Sequence, residues 1–437
     1  MPREPTEDRS YRALIAIPDL GRVVLSMQLA RIAQAMIGVA IVLFTLAEYD
    51  SPALAGIVTF ASLFPGILIS PVAGALLDRH GRVRLIRVDY VIALGTMLLI
   101  GGLSLADLLS PPLLILIALV SSLTGPLSQT GLRSLFPLMV PEHLWERVNA
   151  LDSNGYLVAT ILGPPLAAGM VALFGPQVAI LAIGVPYGLA ALALAGVREP
   201  VTRTASTGRL LLDAIAGLRY AWRNRTIRGL GFAISSLNLA GGISSIVIPL
   251  LVLDRLGGSE LAVGLAFAVS GVAGMASVFL FGRVDSRGRE WALLVYPMIL
   301  TAPVTALLLL ANSGLGVSAP AVGFAMIVAS MFFFGLLNGP LDIGLFTIRQ
   351  RRTDPAWMGR AFAISMAFNF SGFPIGAAIA GVLADTSLDL AILVAVVACV
   401  ASAFFAAAMV PKRDPQDLAD GPADIPPVTA DASERGC

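Results

Sequence analysis

Apolar residues in this chain come in long continuous runs, broken by short polar stretches. Twelve runs can be traced, at about 20–47, 53–77, 88–106, 113–135, 150–174, 177–197, 227–253, 260–281, 291–311, 317–348, 361–383 and 388–410. Each approaches or exceeds the roughly 20 residues a helix needs to cross a bilayer core. Inside lipid every backbone group must be satisfied within the fold, so unbroken runs of this length predict helices rather than barrel strands. The expected fold class is all-α: a polytopic membrane protein of 12 transmembrane helices in two six-helix bundles. Polar punctuation divides the chain into a segment 1–19, a first bundle 20–197, a linker 198–226, a second bundle 227–410 and a tail 411–437.

Composition agrees. Of 437 residues, 57% are hydrophobic and only 13% charged, with mean hydropathy +0.85, where a soluble domain carries about 25% charged residues. The net charge of +1 says little, but its sorting says a great deal. An even number of spans places both chain ends on one side. Of the 29 basic residues, Arg255 alone falls in an opposite-side loop and Arg31 alone falls deep in a run. The others sit in the tails or in the stretches 79–87, 133–147, 198–228, 283–289 and 349–360. Glu48, Asp50, Asp107, Asp254, Glu260, Asp385 and Asp389 gather at the opposite ends. This is the positive-inside pattern, with both termini cytoplasmic. The polar start, Met1 to Arg12, followed by a long first run, does not fit a cleavable signal. Cys399 lies inside the last run and Cys437 ends the tail, so no disulfide or metal framework is expected. The tail from Pro411 is Pro/Asp/Ala-rich, a composition that does not favour a packed core.

One charged knot stands between two apolar runs: Gly74-Ala-Leu-Leu-Asp78-Arg79-His80-Gly81-Arg82-Val83-Arg84. It must form a very tight loop at a membrane surface. A shorter copy, Gly282-Arg-Val-Asp285-Ser-Arg287-Gly288-Arg289, follows in the second half. Other pairs keep the same order: Ser51/Ser259, Gly56/Gly264, Gly66/Gly274, Gly125/Gly339, Arg147/Arg360 and Pro164/Pro374. The ordered series predicts a duplicated six-helix unit, with parallel halves related by an axis along the membrane normal. Between them, Leu211, Ile215, Leu218 and Trp222, flanked by Arg209, Arg219 and Arg223, predict an amphipathic helix on the cytoplasmic surface, or else a plain linker.

The spacing Gly-x3-Asp-Arg-x-Gly-Arg resembles the loop between helices 2 and 3 of major facilitator superfamily transporters. Gly163-Pro164-Pro165-Leu166-Ala167-Ala168-Gly169 resembles the antiporter motif of exporters in that superfamily, with Ala167 and Ala168 in place of the usual glycine pair. Leu135 to Pro141, followed by Arg147-Val-Asn-Ala150, makes the chain most similar to the enterobactin-exporter-like and multidrug efflux branch. The resemblance covers roughly residues 20–410. It implies that helices 1, 4, 7 and 10 line a central cavity. It also implies that Asp78 faces the start of helix 11 as an inner latch, with Arg79 and Arg82 reaching carboxylates or carbonyls across the same interface.

Polarity agrees with that cavity. Helix 1 carries Gln28, Arg31 and Gln34; helix 4 carries Ser121, Ser122, Thr124, Ser128 and Gln129. Helix 7 carries Ser235, Ser236, Asn238, Ser244 and Ser245; helix 10 carries Ser330, Asn338 and Asp342. A charge at mid-membrane costs about 2.5 kcal/mol or more on insertion scales, so Arg31 demands a partner or a wet cavity. It is either a substrate or coupling contact or a structural pair with a carboxylate. Asp342, four residues after Asn338 and beside Pro340, is the leading candidate for proton coupling, with a capping role at the Gly339-Pro340 break as the alternative. Asp152 is a second candidate, nearer the surface, and Asp89 is expected to pair with nearby arginines.

The resemblance implies a proton-driven exporter of a small amphipathic molecule such as a drug, siderophore or metabolite, working by alternating access as a monomer in a bacterial inner membrane. A uniporter or importer of the same fold, or a receptor that moves nothing, stands as the alternative. No cofactor, metal or nucleic acid is expected. A nucleotide-driven pump is excluded, because a phosphate-binding loop needs a lysine and the single lysine is Lys412 in the tail. His80 and His143 both fall in loops, and no hydrolase motif accompanies them.

Overall fold

The computed structural model describes residues 10–199, 218–282, 288–353 and 358–412. The side chains of Tyr11, Ile15, Pro71, Ala75, Asp78, Glu146 and residues 358–363 also lie outside the description. Among the described residues there are 12 helices long and apolar enough to cross a membrane. They are α1 (Leu20–Tyr49), α2 (Pro52–His80), α3 (Arg82–Leu105), α4 (Pro111–Ser122 continued by Gly125–Met139), α5 (Trp145–Phe174) and α6 (Pro176–Ala193). The second six are α7 (Arg225–Leu250), α8 (Glu260–Phe281), α9 (Glu290–Asn312), α10 (Pro320–Arg351), α11 (Met358–Ala384) and α12 (Leu388–Met409).

Local chemistry sets the ends. Ser51 and Ser259 stand at equivalent places in the two halves, and each accepts a hydrogen bond from a backbone N–H in the first turn of its helix: Leu54 for α2 and Ala262 for α8. Asn224 caps α7 through Thr226 and Ile227. The knot is almost entirely helical. Only Gly81, at φ 89°, separates α2 from α3, and that left-handed backbone suits a residue without Cβ. Helix α4 breaks at Leu123–Thr124, just before Pro126, whose ring nitrogen carries no proton to donate.

The predicted duplication appears as matching neighbours. In the first half α1 packs on α5 and α6, α3 on α4 and α6, and α2 on α4. In the second half α7 packs on α11 and α12, α9 on α10 and α12, and α8 on α10. Between the halves, α2 meets α11 and α5 meets α8. These seams lie toward the face opposite the chain ends. A Cβ on Gly56 would overlap the Ala377 carbonyl and stand 2.9 Å from Gly381 Cα. One on Gly264 would stand 2.9 Å from the Pro164 carbonyl oxygen and 2.6 Å from Ala168 Cβ. Glycine at these two places lets the halves close tightly on that distal side.

Two helices run further than the sequence suggested. Arg133, at the end of its apolar run, and Arg349, placed in a surface stretch, both lie within helices, α4 and α10. The Arg349 guanidinium is buried on Asn369, so α10 need not end before it. The linker helix expected at Leu210–Trp222 falls largely outside the described residues, as do Cys437, the Arg360 side chain and residues 283–287 of the copied knot. Cys399 is buried and free.

Candidate functional site

Charged and polar side chains gather at similar depth in both halves. Counted at 1.5 Å per residue from the helix ends on the terminal face, Arg31, Arg133, Asp152, Asn238 and Asp342 lie about 9–20 Å inside. In the first half Arg31 of α1 is buried, 8% exposed. Its Nη2 pairs with Asp152 Oδ1 of α5 at 2.5 Å, and its Nη1 donates to the Asp152 carbonyl, also at 2.5 Å. Its guanidinium covers the Tyr156 ring at 4.0 Å. One turn earlier, Gln28 Nε2 donates to the Gly155 carbonyl at 3.4 Å. Arg133 of α4 approaches from the other side, its Nε 3.9 Å from Asp152 Oδ2 and its guanidinium 5.6 Å from the Tyr156 ring. Asp152 is therefore a hub for three helices. The carboxylate pair foreseen for Arg31 exists, and it is made with the other coupling candidate.

The second half builds a hub on the corresponding helices with different chemistry. Arg349 of α10 is 1% exposed. The Asn369 amide of α11, with its oxygen toward the guanidinium, accepts from Arg349 Nη2 at 2.6 Å and donates to the Ser365 carbonyl at 3.0 Å. Arg349 Nη1 lies 3.1 Å from Met366 Sδ. Asn238 of α7 donates from Nδ2 to the Asn369 carbonyl at 2.8 Å. So α1 and α4 meet on Asp152, and α7 and α10 meet on Asn369. One hub is an acid and the other a neutral amide. Asp342 sits two turns before Arg349 on the same face of α10, close enough to feel its charge. It is exposed in the middle of a spanning helix. A carboxylate there would not face lipid, so it borders a cavity.

Other expected cavity residues divide. Gln34 and Gln129 are exposed, and Asn338 is half-buried. Ser128 donates to the Gly125 carbonyl at 3.2 Å. Ser330 turns away, donating to Val304 of α9 at 2.9 Å, so it does not line the cavity. Asp89 corrects another expectation. It is buried and faces the hydroxyls of Ser128 and Thr124 rather than an arginine. Its place two turns inside α3 aims it at α4 and away from the exposed Arg84 and Arg87. Beyond Arg31 on the same face of α1 come Ala35 and Gly38. With Val39, Gly241, Ser245, Pro249, Phe267 and Phe373 they enclose a cavity of about 220 Å³, almost wholly apolar.

In the knot, Arg82 Nε donates to Ser134 of α4 at 3.1 Å, and Nη1 pairs with Glu199 after α6 at 3.3 Å. Glu199 also accepts from the Val83 N–H at 3.2 Å. Ser134 belongs to the first half and Glu199 to the start of the linker, so a carboxylate of the kind expected for Arg82 is found on the linker. Arg79 is exposed, and a Cβ on Gly74 would meet nothing. Gly163 presses on Ala35 of α1, while Pro164 forms the seam with Gly264; nothing crowds Gly169. The antiporter-like segment thus touches both its own half and the other.

Sequence reading missed Arg349, Asn369 and Tyr156. A signal existed for two of them: Arg349 follows Asp342 by seven residues and Tyr156 follows Asp152 by four, which puts each pair on one helix face. Asn369 had none.

The family model for the Major Facilitator Superfamily matches residues 23–341 and again 230–429. The chain belongs to this superfamily. It is 35% identical over 411 residues to the uncharacterized MFS-type transporter y4rN of Sinorhizobium fredii, covering 93% of this chain and 98% of that one. It is 26% identical to the multidrug efflux pump Tap of Mycobacterium tuberculosis, over 80% of this chain and 84% of Tap. It is 22% identical to macrolide efflux protein A of Streptococcus pyogenes, over 81% and 86% of the two chains. Among solved structures, the nucleoside transporter NupG superposes with TM-score 0.67 at 14% identity, over 90% of this chain and 98% of that one. A bacterial homologue of the human lysosomal transporter Spinster, inward-facing and occupied, gives 0.68 at 15%, over 91% and 97%. At such identities the likeness shows the shared fold.

Proposed function

We propose that this superfamily member exports a small amphipathic molecule in exchange for protons, by alternating access, from a bacterial inner membrane with both termini cytoplasmic. The carrying observation is an apolar pocket lined by Gly38, Phe267 and Phe373, with the charged groups Arg31, Asp152 and Asp342 nearer the terminal face. An amphipathic body fits the pocket and its polar end the charged groups. Efflux as the direction is supported by the relatives Tap and macrolide efflux protein A.

Asp342 is the proton carrier in this reading. An accessible carboxylate inside a spanning helix can take a proton in one state and lose it in the other, as solvent access and the distance to Arg349 change. Asp152 is the second acid, held by Arg31 until a conformational change or substrate loosens the pair. The knot acts as the latch on the terminal face through Asp78, with Arg82 held by Glu199 at the start of the linker while the distal seams are closed. The transporter works as a monomer, because each half supplies one wall.

The test is a growth and accumulation screen of an overexpressing strain against amphipathic drugs, siderophores and metabolites, with and without a protonophore. Lower intracellular accumulation that the protonophore abolishes is expected for at least one compound. Higher accumulation on overexpression would instead identify an importer, and reduced accumulation indifferent to the protonophore would remove the proton.

A further inference from the structure

We infer that Arg133 and Tyr156 form the seat for an anionic group, so that the transported molecule is an amphipathic acid. This rests on the proposed export reading and narrows it to a charge class.

Among the described residues, charge around Asp152 is unbalanced. Two guanidinium groups share one carboxylate. Arg31 is the near partner, at 2.5 Å to a side-chain oxygen and 2.5 Å to the backbone carbonyl, and is almost fully buried. Arg133 touches only the far oxygen, at 3.9 Å through Nε, and its side chain is 59% exposed. Its Nη groups are the outward end of the fork, the part that binds a carboxylate or phosphate through paired hydrogen bonds. Arg31 thus neutralises Asp152, and Arg133 presents a cation inside the membrane-spanning region.

The aromatic ring sharpens the site. Tyr156 is 39% exposed and lies against both guanidiniums, 4.0 Å from Arg31 and 5.6 Å from Arg133. The contact fixes the guanidinium fork without using its outer donors. The ring also gives an apolar edge beside the cation. Asp89, the next acid on this side, faces Ser128 and Thr124, and Asp342 belongs to the other half beside Arg349. The α1 wall of the apolar pocket begins at Ala35, one turn beyond Arg31, so an acid held at Arg133 can extend its body toward the pocket. Arg31 is a positioning residue here: it holds Asp152 and Tyr156 where Arg133 needs them.

The test uses a matched pair of probes at pH 7: 1-naphthoate, an anion, and 1-naphthylmethylamine, a cation of the same body. Binding is measured by calorimetry on the full chain in nanodiscs of zwitterionic lipid. Naphthoate is expected to bind at least tenfold tighter than the amine. Arg133→Gln should weaken naphthoate at least tenfold and leave the amine unchanged, and Arg133→Lys should restore part of the loss. Because Arg133 is exposed, the variant should keep its thermal midpoint, which is checked in the same sample. Equal affinities, no naphthoate binding, or naphthoate binding that survives Arg133→Gln would overturn the proposal. So would loss of naphthoate binding on doping the discs with phosphatidylglycerol, which would assign the seat to a lipid headgroup. Binding does not require flux, so failure of proton-coupled export would show in the accumulation screen and not here.

Discussion

Arg31 and Asp152 are the most consequential pair in the molecule. Their side chains are 9% and 13% exposed, so each neutralises a charge that would otherwise stand alone in a low-dielectric interior. Removing one partner of such a pair costs roughly 3–5 kcal/mol, whereas replacing both with neutral groups costs far less. Arg31→Gln should therefore lower the thermal midpoint in detergent sharply, and Arg31→Gln with Asp152→Asn should recover much of the loss. A double variant no better than the single one would show that the pair is not coupled. Asp342→Asn should behave oppositely, leaving stability nearly unchanged because the carboxylate is open, and abolishing transport driven by a proton gradient. Much of this site was legible in the sequence, because a charge or amide inside an apolar run is conspicuous: Arg31, Asp152, Asn238 and Asp342 were all visible that way. Arg349 was hidden by its position at the end of a run, where basic residues ordinarily meet the cytoplasm. Asn369 was hidden because nothing in sequence links a lone amide of α11 to an arginine of α10. The partner of Arg82 was hidden for a related reason: Glu199 sits at the start of the linker, and its return to Val83 is a tertiary fact.

At the level of elements, the seams between the halves decide which face is closed. Helix α2 reaches α11 through Gly56, and α5 reaches α8 through Gly264, each too close for a side chain. Gly56→Val should wedge the α2–α11 seam apart on the distal side. The expected readout is faster labelling of a cysteine placed at Ser245, in a chain with Cys399 and Cys437 replaced by alanine, by a membrane-impermeant maleimide added from that side. Unchanged labelling would mean that this seam does not gate the pocket. The apolar runs foretold twelve spans and most of their limits, since lipid forces a helix wherever the chain is apolar for long enough. They could not foretell that the knot's turn is Gly81 alone, because charged residues at helix ends look like loop in a hydropathy reading. The knot offers its own test: Asp78→Asn should abolish transport while protein level stays constant, and full activity in proteoliposomes would refute the latch.

The whole molecule is a duplicated bundle whose halves share neighbours but not chemistry. Both gather helices 1 and 4, or 7 and 10, on one residue of helix 5 or 11. The first half uses an acid and the second an amide, so only the first hub can change charge. The distal seams are closed, and exposed groups such as Arg133 and Asp342 lie on the terminal side, as in a transporter awaiting cargo from the face that bears its ends. The central claim is that proton movement through this cavity drives export. Everted membrane vesicles test it most directly, using a compound drawn from the accumulation screen. With an imposed gradient, acid inside, wild-type vesicles should accumulate the compound and release protons as they do so, and Asp342→Asn vesicles should do neither. Accumulation that proceeds equally in both, or that ignores collapse of the gradient by a protonophore, would contradict the account.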